Sequence, residues 1–224
     1  MVDPKVYLVC QILILVWLLP ATGWAQSDLR VDIGLFSKND TSGWEIREFA
    51  GTTDYSFTLV DGQQVLVADS RQSASAFYKK IRVDLEKTPI LNWSWRKEQS
   101  IDPGNEFDKN GDDFVARIYV VKSGGLFFWN TVALNYVWSY QHKRNDTWNN
   151  PFAGDKGKML AQRDASDPQA TWFKEQRNVA MDFKALLGKD IRQIDGVAIM
   201  TDSDNSGLSA RALYGDIFFS ARQE

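Results

Sequence analysis

The chain has 224 residues, with 29 acidic and 26 basic side chains, a formal net charge of −3, one histidine and one cysteine. Charges of both signs are mixed along it, so no basic block or stripe marks a nucleic-acid partner. The cysteine count excludes a disulfide-stapled scaffold, and the His and Cys counts exclude a multi-ligand zinc site.

Residues 6–19 form an apolar run with Lys5 before it and Ala21-Thr22-Gly23-Trp24-Ala25 after it. At about fourteen residues the run is shorter than the roughly 20 a spanning helix needs, and the small residues before Gln26 offer a cleavage point. Residues 1–25 therefore read as a signal peptide, with an uncleaved anchor as the alternative. Residues 26–224 read as a single domain large enough for its own core. Cys10 would leave with the signal, and no stable membrane span would remain. The expected compartment is the periplasm or the exterior.

Short extended segments follow in order. A first strand at 31–36 turns through Ser42-Gly43 into 44–49. Tyr55, Phe57 and Leu59 alternate with Ser56 and Thr58, and Asp61-Gly62 is a hairpin signal before 65–68. Within 75–85, Phe77, Ile81 and Val83 share one face and Tyr78, Lys80 and Arg82 the other. Leu91, Trp93 and Trp95 alternate with Asn92, Ser94 and Arg96. Residues 98–110 read as a long polar loop.

The strand that follows points Phe114, Ala116, Ile118 and Val120 toward a core, with Asp113, Val115, Arg117 and Tyr119 opposite. In 133–140, Leu134, Tyr136, Trp138 and Tyr140 share a face, and Asn135, Val137 and Ser139 share the other. Residues 141–155 form a second polar loop, containing His142 and Trp148. Short strands are expected at 158–162 and 172–180. A one- to two-turn helix over 182–187 would be capped by Asp182 and closed by Gly188. Strands at 197–200 and 213–219, with a turn at 202–207, close the chain. About ten short strands and one short helix in the C-terminal third define an all-β, jelly-roll-type β-sandwich.

The last third carries Trp172, the capped helix, residues 194–200 and Tyr214-Gly215-Asp216-Ile217-Phe218-Phe219. It resembles the C-terminal half of galactose-binding-like jelly rolls, which often serve as carbohydrate-binding modules. Four motifs carry a closer resemblance: residues 112–121, Asn135-Tyr136-Val137-Trp138, Arg177-Asn178-Val179 with Asp182-Phe183, and residues 199–205. They resemble a bacterial envelope family known only as a domain of unknown function, family thirty forty-seven. The resemblance implies a secreted or periplasmic β-sandwich and no assigned reaction.

Three kinds of site remain open. Asp108, Asn110 and Asp112 sit at i, i+2 and i+4, with Asp113 next, and Asp202-Ser203-Asp204-Asn205 is a second oxygen-rich turn. Such spacing can converge on calcium, while Asp113 and Tyr119 stand where an EF-hand has Gly and a bidentate Glu, so an EF-hand is excluded. Plain solvated turns are the alternative reading. The metal candidates are Asp108, Asn110, Asp112, Asp113, Asp202 and Asp204. A glycosidase would need two carboxylates roughly 5–10 Å apart; Asp112, Asp113, Asp202, Asp204 and Asp216 could supply them, but nothing in the spacing pairs them. Nucleophilic triads are excluded: His142 lies beside Lys143 and Arg144, and no Gly-x-Ser-x-Gly is present.

The third site is a sugar platform of aromatic faces with polar side chains gripping hydroxyls. Its candidates are Arg117, Tyr119, Asn135, Trp138 and Trp148, with core packing the alternative for each tryptophan and Trp148 the one expected to be exposed. The leading reading is a non-enzymatic binding domain for a carbohydrate or another envelope component, with calcium as a candidate stabiliser. A glycan-active enzyme using an Asp pair and a structural envelope protein without a small ligand are the alternatives.

Overall fold

The computed structural model describes residues 29–126 and 130–221. The signal-peptide reading at 1–25 lies outside the described residues. β1 (Arg30–Gly34) leads through a 3-10 turn at Phe36–Lys38 to β2 (Trp44–Ala50). β3 (Asp54–Val60) and β4 (Gln63–Arg71) form a hairpin. Its turn residues Asp61 and Gly62 have φ of 52° and 79°, the paired left-handed geometry that an Asp-Gly sequence favours because it matches the twist of the strands.

β5 (Ala74–Asp84) and β6 (Ile90–Gln99) are the long strands that follow, and β7 (Arg117–Lys122) pairs with β8 (Val132–Trp138). Then come β9 (Thr147–Asn150), β10 (Gly154–Arg163), β11 (Phe173–Asn178), α1 (Val179–Leu187), β12 (Gln193–Met200), β13 (Ser209–Tyr214) and β14 (Ile217–Ser220). The first sheet runs β1-β14-β6-β13-β4-β3 with β11 also on β6, and the second runs β2-β5-β12-β7-β8-β10-β9. The pairs are antiparallel except β8 with β10. The two sheets stack as a jelly-roll-type β-sandwich.

The strands outnumber the ten expected for local reasons. Residues 213–219 are two strands, broken at Gly215-Asp216. β9 hides in a loop because Thr147-Trp148-Asn149-Asn150 is too polar to announce itself. The helix also differs in its cap: Asn178, at the end of β11, accepts the Met181 N–H at 3.0 Å. Asp182 lies inside the helix, where it accepts the Tyr136 hydroxyl at 2.7 Å and pairs with Arg177. Gly188 closes the helix in the left-handed conformation, φ 65°.

Period-two alternation builds the core. Leu91, Trp93 and Trp95 of the first sheet meet Ile118, Val120, Leu134, Tyr136, Trp138, Val197 and Ile199 of the second, all buried. Trp95 and Trp138 rings sit 5.7 Å apart, and Trp93 lies 5.4 Å from Tyr136. Truncating any of these to Ala would cost about 3–5 kcal/mol.

Candidate functional site

The same alternation decides what the second sheet shows on its outer face. Register puts Met200, Ala198 and Gly196 of β12 beside Arg117, Tyr119 and Val121 of β7. Tyr119 in turn faces Asn135 of β8, and Ala198 faces Tyr78 of β5. Small residues in the middle (Ala76, Ala198, Gly196) leave a floor between taller walls. A groove of about 1050 Å³ opens there and adjoins a pocket of about 340 Å³; Phe49 and Tyr119 border both.

One wall is the β9–β10 turn carrying Phe152. It can lie against β10 because position 157 is glycine; a Cβ there would come within 2.9 Å of the Ala153 and Asn150 Cβ atoms. Phe49 (58 % exposed) and Phe152 (60 % exposed) both line the smaller pocket.

The same end of the outer face is closed by residues 100–116, where Lys109 Nζ lies 5.3 Å from the Phe152 ring centre. Phe114 packs there on Val137, Trp148, Met159 and Ala161 as a separate apolar cluster. Trp148, expected to be exposed, is buried. His142 stacks on it at 4.0 Å, and its indole N–H donates to the Glu106 carbonyl at 3.2 Å. The two polar loops fold back over the sheet and bury the ring between them. Trp138 lies in the inter-sheet core. Neither tryptophan borders the groove.

This covering loop brings the two acidic turns together. Arg117 points outward from β7 yet is wholly buried. Its guanidinium donates to Asp112 Oδ2 (3.2 Å), the Asp112 carbonyl (2.8 Å), Asp202 Oδ2 (2.8 Å) and the Tyr119 hydroxyl (2.7 Å). Its carbon also lies 4.4 Å from the Phe114 ring centre. Asp113 accepts from the Asn205 N–H and side-chain amide and from the Ser206 N–H at 2.6 Å, which locks the 202–207 turn onto the loop.

Asp113, Asp202 and Asp204 offer oxygens within 4.8 Å of one another. Asp108 and Asn110 are left outside, exposed at a 3-10 turn spanning Lys109–Gly111, where Asp108 accepts from Asn105. Gly111 allows that turn, since a Cβ there would fall 2.1 Å from the Asn105 carbonyl oxygen. Asp216, the remaining acid, is engaged by the Ser37 N–H and hydroxyl at 2.8 and 2.7 Å.

Four carboxyls crowd one guanidinium, and the electrostatics reflect it. Burial pushes Asp202 well above the usual carboxylate range, against the pull of Arg117. Burial likewise raises Asp112, with Arg117 opposing. Asp204 is raised by burial and by the neighbouring Asp113 charge. Two acceptors in this corner, Asp112 Oδ1 and Asn135 Oδ1, are buried without a hydrogen-bond partner among the described residues, as is Asp204 Oδ1. Asp112, Asn135 and Asp204 all border the smaller pocket.

The all-oxygen donor set suits calcium, and a spread of 4.8 Å fits Ca–O distances of about 2.3–2.6 Å around one ion. Both oxygens of Asp113 and of Asp202 already accept hydrogen bonds. Three carboxylates fall short of the roughly six to eight ligands calcium takes, so waters would complete its shell.

Of the sugar-platform residues, Tyr119 and Asn135 border the smaller pocket, while Arg117 lies beneath it holding Asp112 and Asp202. Phe49, Phe152 and Arg47 at the groove were not singled out from sequence. The signal for Tyr78, Lys80 and Arg82 was present in the alternation of 75–85. Phe152 gave none, because an aromatic in a turn has no periodicity to orient it.

The fold and site define a β-sandwich with an open groove across one sheet. The family described as Protein of unknown function (DUF3047) matches residues 42–218, and the chain belongs to that family. No curated protein matches it.

Among solved structures, the chain is similar to the family 30 carbohydrate-binding module of the cellulosomal cellulase Cel9D-Cel44B of Clostridium thermocellum. That match has TM-score 0.52 and 8% identity, covering 88% of this chain and 99% of that one. The family 11 carbohydrate-binding module from Clostridium thermocellum, in complex with a β-1,3-1,4-mixed-linked tetrasaccharide, matches at TM-score 0.46 and 10% identity. It covers 87% of this chain and 97% of that one. At these identities the likeness concerns the fold, and the family 30 module is the one that carries it.

Proposed function

We propose that the domain is a binding module that holds a glycan on the outer face of the second sheet. The observation that carries this is the smaller pocket. It joins the buried, unpartnered acceptors Asp112 Oδ1 and Asn135 Oδ1 to the exposed rings of Phe49 and Phe152. An unsatisfied buried acceptor costs about 1–3 kcal/mol, and sugar hydroxyls are the donors that relieve it. Aromatic rings supply the apolar faces on which pyranoses stack. The carbohydrate-binding fold of the family 30 neighbour supports the reading.

Calcium enters as a stabiliser at Asp113, Asp202 and Asp204, where it would offset the excess of carboxyls over guanidinium. The signal-peptide reading supports a periplasmic or secreted site of action. No helix among the described residues is long and apolar enough to cross a membrane. One observation favours a glycan-active enzyme as second reading: Asp204, raised by burial and by the Asp113 charge, borders the smaller pocket as a candidate proton donor.

A glycan array with the domain, in millimolar calcium and in chelator, tests both. Binding that drops in Phe49→Ala and Phe152→Ala, without release of reducing ends from the bound glycan, is the expected result. An empty array overturns the binding reading, and turnover that stops in Asp204→Asn replaces it with the enzymatic one.

A further inference from the structure

The groove carries opposite charge in its two parts, with Arg47 standing where they meet, since its register partner Ala76 pairs with Met200 of the smaller pocket. The smaller pocket is bordered by Asp112, Asp202 and Asp204. The wider part is bordered by Arg47, Lys80, Arg82 and Lys122, with Asp195 as its acid among the described residues. Asp195 is already engaged, by Lys122 Nζ at 2.8 Å, the Ser123 N–H at 3.0 Å and Gln193 Nε2 at 2.9 Å. Burial works against its ionisation, but those donors prevail and hold its carboxyl below the usual range.

Arg47, Lys80 and Arg82 are exposed, and among the described residues none has a carboxylate at salt-bridge distance. Glu45, the nearest candidate by register, accepts the Tyr78 hydroxyl instead, at 2.5 Å. Arg47 lies 5.5 Å from the Phe49 ring centre and Lys80 lies 5.7 Å from that of Tyr78. In a chain of net charge −3, three unpaired cations on two neighbouring strands of one groove are a local concentration. A concave, low-dielectric wall focuses their field on whatever lies there.

Building on the glycan-binding reading, the geometry points to an acidic glycan as the ligand class: an oligosaccharide whose carboxylated sugars lie along Arg47, Lys80 and Arg82. Guanidinium meets carboxylate through two parallel hydrogen bonds, and the Phe49 ring beside Arg47 and the Tyr78 ring beside Lys80 offer apolar surface next to those cations. Lys80 and Arg82 are two residues apart, at most about 7 Å, where β5 bulges opposite Asp195. Arg47 pairs in register with Ala76, four residues from Lys80, a further 13 Å or so along the strand. Charges so spaced need a chain of several sugars.

The acidic pocket sets the direction. A carboxylate placed beside Asp112, Asp202 and Asp204 would be repelled, so the sugar seated there is neutral and gives its hydroxyls to Asp112 Oδ1 and Asn135 Oδ1. The favoured ligand alternates acidic and neutral sugars, or ends in a neutral one.

Calorimetric titration of the domain tests this with four probes: hyaluronan oligosaccharides (alternating uronate and N-acetylglucosamine), chitohexaose, cellohexaose and inorganic polyphosphate. The acidic oligosaccharide should bind about tenfold more tightly than either neutral hexamer at about 50 mM salt and lose most of that margin at about 300 mM. A triple variant, Arg47→Gln, Lys80→Gln and Arg82→Gln, should bring it to the level of the neutral sugars while melting with the wild type. Neutral sugars binding as well as the acidic one, or an unchanged triple variant, overturns the acidic class and leaves the groove reading intact. Polyphosphate binding as tightly as the acidic sugar also overturns it, in favour of charge alone. Failure of every sugar overturns both readings together.

Discussion

Two parts of one groove treat charge in opposite ways. In the acidic part Arg117 is wholly buried and divided among Asp112, Asp202 and Tyr119. Away from the covering loop, Arg47, in the same cross-strand row as Arg117, and Lys80 and Arg82 further along β5 stand in solvent, with no carboxylate at salt-bridge distance among the described residues. All four occupy outward-facing positions of the same sheet, so strand alternation does not separate them. The cover does: residues 100–116 lie over the β7 end of the face, while the β2–β5 side stays open. A buried charge must be paired or it destabilises the fold, so the Arg117 cluster is structural first. An exposed and unpaired charge costs the fold little and is free to meet a ligand.

The largest test of that contrast is Arg117→Ala. Removing the guanidinium leaves Asp112 and Asp202 buried and uncompensated, which should cost about 3–5 kcal/mol in urea denaturation at neutral pH. Part of the loss should return at mildly acidic pH, where the two carboxyls can take protons. A loss below about 1 kcal/mol would mean that the cluster is far wetter than its burial indicates. Next in size is Asp113→Ala, which strips acceptors from Asn205 and Ser206. Unpairing those donors should cost about 1–3 kcal/mol and raise hydrogen exchange in the 202–207 turn ahead of the rest of the chain. Uniform exchange through that turn in the variant would show that it holds without the tie.

The same contrast explains which parts of the molecule could be read in advance. Alternation in 91–96, 117–121 and 133–138 placed Trp93, Trp95, Ile118, Val120 and Tyr136 correctly in the core, because a period of two survives wherever one face is buried. The Asp61-Gly62 turn and the Gly188 helix end were legible because left-handed backbone demands particular residues. The site was legible only in pieces. Asp112 and Asp113 on one turn and Asp202 and Asp204 on another meet through contacts between residues about ninety positions apart, and no local pattern encodes that convergence. Trp148 was misplaced for the same reason. Its neighbours are polar, but the loops that bury it come from elsewhere in the chain.

A third, smaller effect lies in the pH dependence. Asp112, Asp202 and Asp204 titrate above the free carboxylate in the folded state. Above about pH 4 the unfolded chain has released these protons while the folded chain still holds some of them. Stability in chelator should therefore fall as pH rises through this window and level off above the raised values. Asp40, Asp164 and Asp195, held low, act in the opposite sense, and their contribution is lost only below the ordinary carboxylate range. Asp204→Asn removes one of the raised groups. It should flatten the slope and gain about 0.5 kcal/mol at neutral pH, a figure kept small because solvent reaches this side chain. Millimolar calcium should flatten the wild-type slope likewise, since the ion binds the ionised carboxylates. Parallel slopes in wild type and variant would place the titration elsewhere.

The smallest effect on stability is expected where the effect on binding is largest. Arg82→Gln removes an exposed charge that no carboxylate of the described chain answers, so its unfolding free energy should stay within about 0.5 kcal/mol of the wild type. Phe152→Ala should behave in the same way, because a ring more than half exposed contributes little burial. Both should nevertheless weaken glycan binding, by about two- to twelvefold if each contact is worth the roughly 0.5–1.5 kcal/mol typical of aromatic stacking or an exposed charge-assisted bond. Arg117→Ala would reverse the pattern, with most of its binding loss following from loss of the fold. A substitution at Arg82 that destabilised the domain by more than about 1 kcal/mol would erase the distinction between the two parts, because it would make the open cations structural as well.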